Sequence, residues 1–575
     1  MCPIRIDYGA IMWYNVHTMY VRTVTAKGTK YVQLAHNYRD PETGISRVRV
    51  LYNWGRADEL DLEALRRLVR SVCRFLDPRE ARKIQEEVGL ESPFEFLGSR
   101  DLGAPWLLDQ VWKRLRLDRT LQALLGKRGY TTPVERLLFA MVANRALAPS
   151  SKLAIESWVG TEVWISDLPA VEVHQLYRAM DFLLEAAAEV EENVYRSVAN
   201  LFNLEVDVIF FDTTTTYFEI EGEDAATEEA EGLRRRGFSK DGRPDLAQVV
   251  VGFAVTRDGI PVRCWVWPGN TVDQNVVAEV KRDLNAWKLG RLLLVLDSGF
   301  NSPENRRFLQ GAGDHYIIGE KMRLGRDGQA ALALQRGGRY RKLACGLEIK
   351  EVVVGKDSVA RRRFVVVLDP EEAARDRQKR ESISGEVERR LEELRQLAGE
   401  PHTRAACALR AHPVYGRYVR QSKTGRLSLN RARLRAESCF DGKFLVSSSD
   451  DQLSAEEIAL GYKQLWQIER VHRDLKHIVD IRPVYHRLED RIRAHVLLCW
   501  LALLLIRVIE NGSGQSWPQV RHTLAELKVG AHRIQGGEVW QTSPLTPAQQ
   551  KLFMRLNAQA PPRYLAIGAP NHPAQ

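Results

Sequence analysis

Three acidic side chains, far apart along the chain, have the positions that suggest chemistry. Asp212 follows the apolar run VDVIFF and Asp297 follows LLLVL, so each aspartate is expected at the end of a buried strand. Glu469 lies in a later segment with helical periodicity. Carboxylates that converge repel one another and are costly to bury unless divalent cations neutralise them. The pattern therefore suggests a pair of Mg²⁺ ions about 4 Å apart that act on a phosphodiester. The alternative for either aspartate alone is a residue that starts a turn.

The segment from Ser454 to Asp480 is predicted to form the helix that carries the glutamate. Ser454 and Glu457 have the spacing of a capping box, so the helix is expected to begin there. Apolar residues then recur every three or four positions, which predicts one stripe facing a core; they are Leu465, Ile468, Val471, Leu475 and Ile478.

A polar face is predicted on the same helix. Tyr462, Glu469 and Lys476 are seven residues apart, which is two turns with about 20° of drift. Lys476 is a candidate for holding a DNA phosphate, and Tyr462 for positioning DNA or the glutamate. His472 and Arg473 lie on or beside this face, with helix packing as the alternative for the histidine. The competing interpretation of the whole face is a solvated surface with ion pairs at helical spacing.

Composition and charge limit the class of protein. The 575 residues carry a net charge of +10 and a pI of about 9.2, which favours a polyanionic partner. The seven cysteines are scattered and never form CxxC, which argues against a disulfide scaffold or zinc site and suits a reducing cytosol. No signal peptide opens the chain. The longest apolar run, Val496–Ile506, is about half of a membrane span, so it predicts a buried helix and no membrane association.

The positive charge is concentrated in one part of the chain. Between residues 401 and 440, nine Lys and Arg residues stand against Glu437 alone. The five that we single out as candidate DNA contacts are Arg417, Arg420, Lys423, Arg431 and Arg433. The default interpretation of such a stretch is a solvated surface.

The order of predicted elements divides the chain into six parts. Antiparallel strands and a charged helix are expected first, then a run of helices, then strands and a helix in the order β-β-β-α-β, which predicts an α/β sheet. The predicted segments are an N-terminal β-rich part with a helix (1–95), an all-α module expected to bind DNA ends (96–203), a first part of the catalytic core (204–320), a basic β-rich segment with a charged helical arm (321–440), a second core part with the glutamate helix (441–510) and a helical tail (511–575).

Several blocks of the chain resemble bacterial insertion-sequence DDE transposases. The blocks include FFDTTTTYFE, GFSKDGRPDLAQ, LLLVLDSGFNS and YKQLWQIERVHRDLK, with VRVLYNWGRADEL and NRALAPSSKLA near the front. The match is to the IS-four superfamily, and within it most resembles the IS sixteen-thirty-four subgroup. The resemblance implies an RNase H-like (retroviral-integrase-like) core with Asp212, Asp297 and Glu469 as the metal-binding triad. The long gap between Asp297 and Glu469 then implies an inserted β-rich domain.

The resemblance also implies an activity and partners. The expected protein is a Mg²⁺-dependent transposase, with Mn²⁺ able to substitute, that cuts at the terminal inverted repeats of its element and joins the 3′-OH to target DNA. A homodimer bridging two ends, in the bacterial cytoplasm at the nucleoid, is expected. Two alternatives stay open: an RNase H-like nuclease without strand transfer, and an inactive relative retained for DNA binding.

Two departures from the superfamily pattern affect the site. Leu465 stands where the pattern Tyr-x2-Arg-x3-Glu-x6-Lys has an arginine, so Lys463 or Arg470 is the candidate for that charge. Some relatives stack a flipped base on a tryptophan of the inserted domain, but no tryptophan lies between Trp287 and Trp466. The aromatic residues left for stacking are Tyr340, Phe364, Tyr415 and Tyr418.

Overall fold

The computed structural model divides into two compact units. One unit is Met1–Phe96 with Arg533–Gly537, and the other is Leu97–His532 with Glu538–Gln575. The residues that the structure describes are 19–87, 94–126, 132–202, 208–220, 222–225, 232–287, 291–323, 328–355, 361–534 and 537–568.

The first unit begins with an antiparallel sheet of three consecutive strands, as the alternating pattern predicts. Its elements are β1 (Met19–Ala26), β2 (Thr29–Arg39), β3 (Ser46–Arg56), α1 (Leu62–Cys73) and α2 (Pro78–Glu87). Lys27 and Gly28 join β1 to β2 with φ of 51° and 79°, which is the conformation of a tight two-residue hairpin. The single charged helix expected in this part of the chain is two helices, because Pro78 occupies the first position of the second one.

Helices follow from Leu102 as the periodicity predicts. The chain continues through β4 (Phe94–Asp101), α3 (Gly103–Arg114), α4 (Leu117–Gly126), α5 (Val134–Leu147), α6 (Lys152–Thr161), α7 (Val173–Glu185) and α8 (Ala187–Phe202). Helix α5 is buried along nearly its whole length and packs on α7 and on a later apolar helix. The side chains of these helices belong to the same continuous core as the central sheet, so the predicted all-α module shares its core with the sheet.

The next part of the chain supplies the centre of a mixed sheet. Its elements are β5 (Val208–Tyr217), β6 (Gln248–Thr256), β7 (Pro261–Pro268), α9 (Asp273–Asn285), β8 (Leu293–Leu296), α10 (Pro303–Leu309) and β9 (His315–Glu320). Helix α9 begins without a capping side chain. The N-cap position is Val272, with no side-chain hydrogen bond.

The segment from 321 to 440 differs from the β-rich insertion that was expected. Its elements are α11 (Gly328–Gln335), β10 (Arg341–Lys342), β11 (Glu348–Val354), β12 (Arg362–Leu368), α12 (Pro370–Arg395), α13 (Gly399–Ala411), β13 (Val419–Gln421), β14 (Leu427–Leu429) and α14 (Arg431–Ser438). Strands β10 to β12 extend the central sheet, and the rest is mostly helical. A small separate core of Val387, Leu391, Leu394 and Leu409 stabilises that helical part.

The remaining elements include the helix of Glu469. They are β15 (Lys443–Ser448), α15 (Ala455–Lys463), α16 (Trp466–His477), α17 (Glu489–Ser513), α18 (Trp517–Leu524), β16 (Lys528–Ile534), β17 (Gly537–Thr542), α19 (Pro547–Arg555) and β18 (Tyr564–Gly568). Helix α17 is long and apolar enough to cross a membrane by length and composition. However, 94% of its most apolar window is buried inside the protein, as expected for the run Val496–Ile506.

The central sheet has nine strands in the order β10-β11-β12-β15-β9-β8-β5-β6-β7. Strands β5, β6 and β7 form an antiparallel meander, and β8 and β9 continue the sheet parallel to β5. Phe211 of β5 pairs with Leu296, the last residue of β8, so Asp212 on β5 and Asp297 directly after β8 stand at the same level. Asp212 is not at the end of its strand as predicted, because β5 continues through the four threonines and Asp212 pairs with Phe253.

The predicted helix from Ser454 to Asp480 is two helices. The capping box of Ser454 and Glu457 begins α15 as predicted. At the junction, the amides of Leu465, Gln467 and Ile468 each bond to a carbonyl three residues back, which tightens the turn and separates α15 from α16. Tyr462 therefore lies on α15, whereas Glu469 and Lys476 lie on α16, and the seven-residue alignment holds only for the last two.

Candidate active site

The three acidic residues singled out in the sequence line one cleft. Asp212 and Asp297 enter it from neighbouring strands, and Glu469 enters it from the first turn of α16. The cleft has a volume of about 290 Å³ and is lined by Asp212, Asp297, Phe444, Tyr462, Lys463, Leu465, Trp466, Ile468 and Glu469. Because β5, β8 and α16 all belong to the large unit with a continuous core, packing between these elements fixes the positions of the three acidic residues.

Asp212 is the most buried of the three carboxylates. Burial is the main cause that raises its pKa to about 6, with smaller increases from the nearby charges of Asp273 and Asp297. The ammonium of Lys240, 3.4 Å from Oδ1, and the backbone N–H of Thr213, 2.7 Å from the same oxygen, act in the opposite direction. Without a further cation beside it, ionisation of Asp212 therefore lowers the stability of the folded protein.

We expect Asp212→Asn to stabilise the protein in the absence of divalent ions, because asparagine mimics the neutral carboxyl. The pKa is raised from 3.8 to about 6 on folding, so the cost of ionisation is absent below pH 4 and complete above pH 6. The variant should gain about 3 kcal/mol in free energy of unfolding at pH 8 and less than about 1 kcal/mol at pH 4. Urea unfolding in EDTA at both pH values measures this, and an equal gain at both would contradict it.

Tyr462 holds the second carboxylate. Its hydroxyl donates a hydrogen bond to Oδ1 of Asp297 at 3.0 Å, and burial followed by the charge of Asp297 raises its pKa. Gly319 leaves the space for this contact, since a Cβ atom there would lie 2.3 Å from the Tyr462 hydroxyl and 3.0 Å from the amide nitrogen of Ser298. The geometry supports the positioning role expected of Tyr462, acting on Asp297.

Three residues beside Asp212 had no assigned role in the sequence. Lys240 contacts Asp212 and lies 3.5 Å from Asp273, and it donates hydrogen bonds to the carbonyl and hydroxyl oxygens of Thr213 at 2.7 and 2.8 Å. Thr213 in turn donates to Asp273 at 2.5 Å. Lys240 lies in the block GFSKDGRPDLAQ, so the resemblance marked the segment without indicating which of its residues reaches the site.

The cations predicted on α16 have different environments. Lys476 donates to Oδ1 of Asp241 at 2.8 Å, and Arg482 lies 3.5 Å from the other oxygen, so Lys476 is already paired. Arg473 is exposed over 64% of its side chain. A DNA contact is compatible with the exposed arginine and requires Lys476 to exchange its partner.

His472 is buried instead of facing solvent. Its ring lies 5.9 Å from that of Phe253, and its Nδ1 lies 3.7 Å from Asp212. Burial is the main cause that lowers its pKa to about 3, with Lys240 and Lys476 adding to the effect, so the ring is neutral. These contacts favour the packing alternative over a phosphate contact.

Lys463 is the cation that reaches the cleft near the position where the superfamily has an arginine. Its side chain is half exposed and lines the cleft, and its ammonium lies 3.6 Å from Asp369. Arg470 instead donates to Glu510 at 2.8 Å on the other side of α16. Trp466, half exposed, also lines the cleft.

The five basic candidates of the segment 401–440 are all exposed, and we call them the basic surface; they are Arg417, Arg420, Lys423, Arg431 and Arg433. Arg433 lies 3.2 Å from Glu437, and Arg431 lies 3.9 Å from Glu388. Phe364 and Tyr418, two of the aromatic candidates for base stacking, are buried, and Tyr415 is stacked on His412 with ring centres 4.1 Å apart.

The donor types in the cleft suit a hard divalent cation, because Mg²⁺ prefers carboxylate oxygens. Within the described ranges, however, no group of three or more His, Cys, Asp or Glu side chains is already arranged to hold a metal ion. Contacts from Lys240 and Tyr462 occupy oxygens of Asp212 and Asp297. The residues therefore fit the cation in chemistry, and binding requires the side chains to rearrange.

Two family models match the chain. Residues 247–505 match the model described as "Transposase DDE domain", and residues 21–83 match "IS1634 family transposase, N-terminal domain"; together they cover more than half of the chain. The chain belongs to the insertion-sequence DDE transposases of the IS1634-like group. This confirms the family inferred from the sequence blocks, and the protein is a DNA transposase.

Solved transposase structures show distant similarity to this transposase. A piggyBac transposase synaptic complex with hairpin DNA is 9% identical, with a TM-score of 0.33, and the match covers 75% of this chain and 81% of that one. The Mos1 transposase paired-end complex with the left transposon end is 15% identical, with a TM-score of 0.13, over 35% of this chain and 57% of that one. No curated protein matches the chain.

Proposed function

We propose that this transposase cuts DNA at the terminal inverted repeats of its own element and joins the resulting 3′-OH to target DNA. The observation that carries the proposal is the register of β5 and β8, which sets Asp212 beside Asp297 in the cleft that Glu469 also lines. The strand order and directions of β5 to β9 support an RNase H-like core, with β10 to β12 and the helical segment inserted after β9.

In this proposal Asp212, Asp297 and Glu469 hold two Mg²⁺ ions, with Mn²⁺ able to substitute. Such ions supply charge neutralisation and activation of the attacking oxygen when bound. The other side chains position the carboxylates and the DNA and balance their negative charge. Tyr462 orients Asp297, Lys240 keeps Asp212 ionised by lowering its pKa, and Lys463 faces the cleft where a DNA phosphate would enter.

DNA outside the cleft is proposed to contact the basic surface. These five side chains are exposed on one segment, and exposed Lys and Arg bind phosphates without sequence preference. Arg473 and, after exchange of its partner, Lys476 extend the contact toward the cleft. A homodimer that bridges two ends in the bacterial cytoplasm, at the nucleoid, completes the proposal.

A strand-transfer assay tests this function. Labelled duplexes from both ends of the element are incubated with the full-length protein, supercoiled target DNA and Mg²⁺. We expect 3′-end cleavage followed by labelled products joined to the target, and neither product in EDTA. Cleavage without joining would indicate the RNase H-like nuclease alternative, and binding without cleavage would indicate an inactive DNA-binding relative.

A further inference from the structure

A second cavity in the large unit lies among helices α5, α6, α7 and α17. It has a volume of about 400 Å³. The residues that line it come from α5, α6, α7 and α17 and from the segment that joins α16 to α17. The basic and aromatic residues that line it are Arg145, Lys152, Tyr177, Tyr485, His486 and His495. Among the described residues that line this cavity, none is acidic.

Lys152 is the unusual member of this lining. Its side chain is nearly inaccessible, with the residue only 4% exposed, and its ammonium has no hydrogen-bond partner within the described part of the chain. Burial and the nearby guanidinium of Arg145 lower its pKa to about 7. An unpaired buried cation beside a second cation is costly, and such groups are retained where an anion binds them.

The surroundings hold both cations in place without neutralising them. Arg145 donates to the backbone carbonyls of Asp480, at 3.2 Å, and of Ser150, so its partners are uncharged. Asn144 orders the turn before α6, with its amide donating to the carbonyl of Ala148 at 2.8 Å and its oxygen accepting from Ser150. The block NRALAPSSKLA is thus folded around the cavity, with Lys152 at the first position of α6.

The position at a helix N-terminus adds to the preference for an anion. Helix α6 has ten residues, and the positive end of its dipole opens where Lys152 enters the cavity. Tyr485 is 67% exposed at the same cavity, so the space is reachable from solvent.

We propose that this cavity binds a phosphate group held by Lys152 and Arg145, and that a phosphate of the DNA backbone supplies it. The volume exceeds that of a phosphate alone and leaves room for the attached sugar. The inference rests on the proposed function and deepens it by adding a DNA contact apart from the active site and the basic surface. It does not depend on the carboxylates of the active site, so binding can be tested without cleavage.

The test compares full-length wild type with Lys152→Met, Lys152→Arg and the control Arg178→Met, an exposed charge on the neighbouring helix α7. Thermal unfolding is followed in sodium phosphate and in sodium chloride of equal ionic strength. Binding of a random-sequence DNA duplex is measured in EDTA over a range of salt. Lys152→Met should fold, since methionine replaces an unpaired buried cation with an apolar chain of similar length.

We expect phosphate to raise the melting temperature of the wild type, Lys152→Arg and Arg178→Met by about 2 °C, and not that of Lys152→Met. Lys152→Met should bind the duplex about tenfold more weakly, with a salt dependence smaller by about one phosphate contact. If Lys152→Met lost the phosphate-dependent rise in melting temperature but bound the duplex with unchanged affinity, the cavity would bind free phosphate or a phosphate ester, and the proposed DNA contact would be wrong. A shift that is absent in the wild type, or retained in Lys152→Met, would overturn the proposal.

Discussion

Alanine at Asp212, Asp297 or Glu469 is expected to lower the rate of 3′-end cleavage by at least about a thousandfold, while the affinity for DNA ends stays within about threefold. The physical reason is that each carboxylate reaches the same cleft, whereas the exposed basic side chains lie elsewhere on the chain. Single-turnover cleavage of labelled ends gives the rate, and binding in EDTA gives the affinity.

The matched control for these variants is Glu304→Ala. Glu304 is an acidic residue with its side chain 74% exposed, and it lies 3.5 Å from Arg307 on α10, away from the cleft lining. Its cleavage rate should be that of the wild type. If one of the three cleft variants cut at the wild-type rate, that residue would not be part of the catalytic set.

The second large effect is expected at Arg507, which lies beneath the glutamate helix. Its guanidinium is buried on α17 and donates to Asp474 of α16 and to Glu510. Arg507→Ala leaves two buried carboxylates without their main partner, so the free energy of unfolding should fall by about 3–5 kcal/mol. Urea unfolding followed by circular dichroism measures the change.

Arg389→Ala is the comparison for an exposed ion pair. Arg389 on α12 lies 2.8 Å from Glu386 with more than half of its side chain exposed, so its loss should lower the free energy of unfolding far less than the loss of Arg507. If Arg507→Ala and Arg389→Ala lowered the free energy of unfolding equally, the buried contacts of Arg507 would not be what holds α16 in place. Because Glu469 is on α16, the Arg507 variant should also cleave more slowly under conditions in which it remains folded.

The periodic patterns of the sequence predicted the elements that carry the site. Continuous apolar runs predict buried strands, and the described residues 208–211 of VDVIFF lie in β5 and residues 293–296 of LLLVL in β8. The capping box at Ser454 predicted where α15 begins, because a cap is a contact between residues three apart. The identity of Glu469 as the third acidic residue came from its place in the predicted helical segment from Ser454 to Asp480 together with the resemblance of its block.

Details that depend on contacts between distant residues were not predicted. Strand β5 continues past Asp212 because β6 pairs with every threonine that follows. Lys240 reaches Asp212 through a loop whose local pattern carries no sign of it.

The acidic and apolar residues are read directly from the sequence. Their local spacing was sufficient to predict helices and strands, and hence which chemistry was conceivable. The tertiary structure decided which of them meet. The register of β5 with β8 sets the two aspartates side by side, and the packing of α17 buries Lys152 next to Arg145 without an acid. Both outcomes depend on hydrogen bonds and burial between segments remote along the chain, which periodicity over one or two turns does not encode.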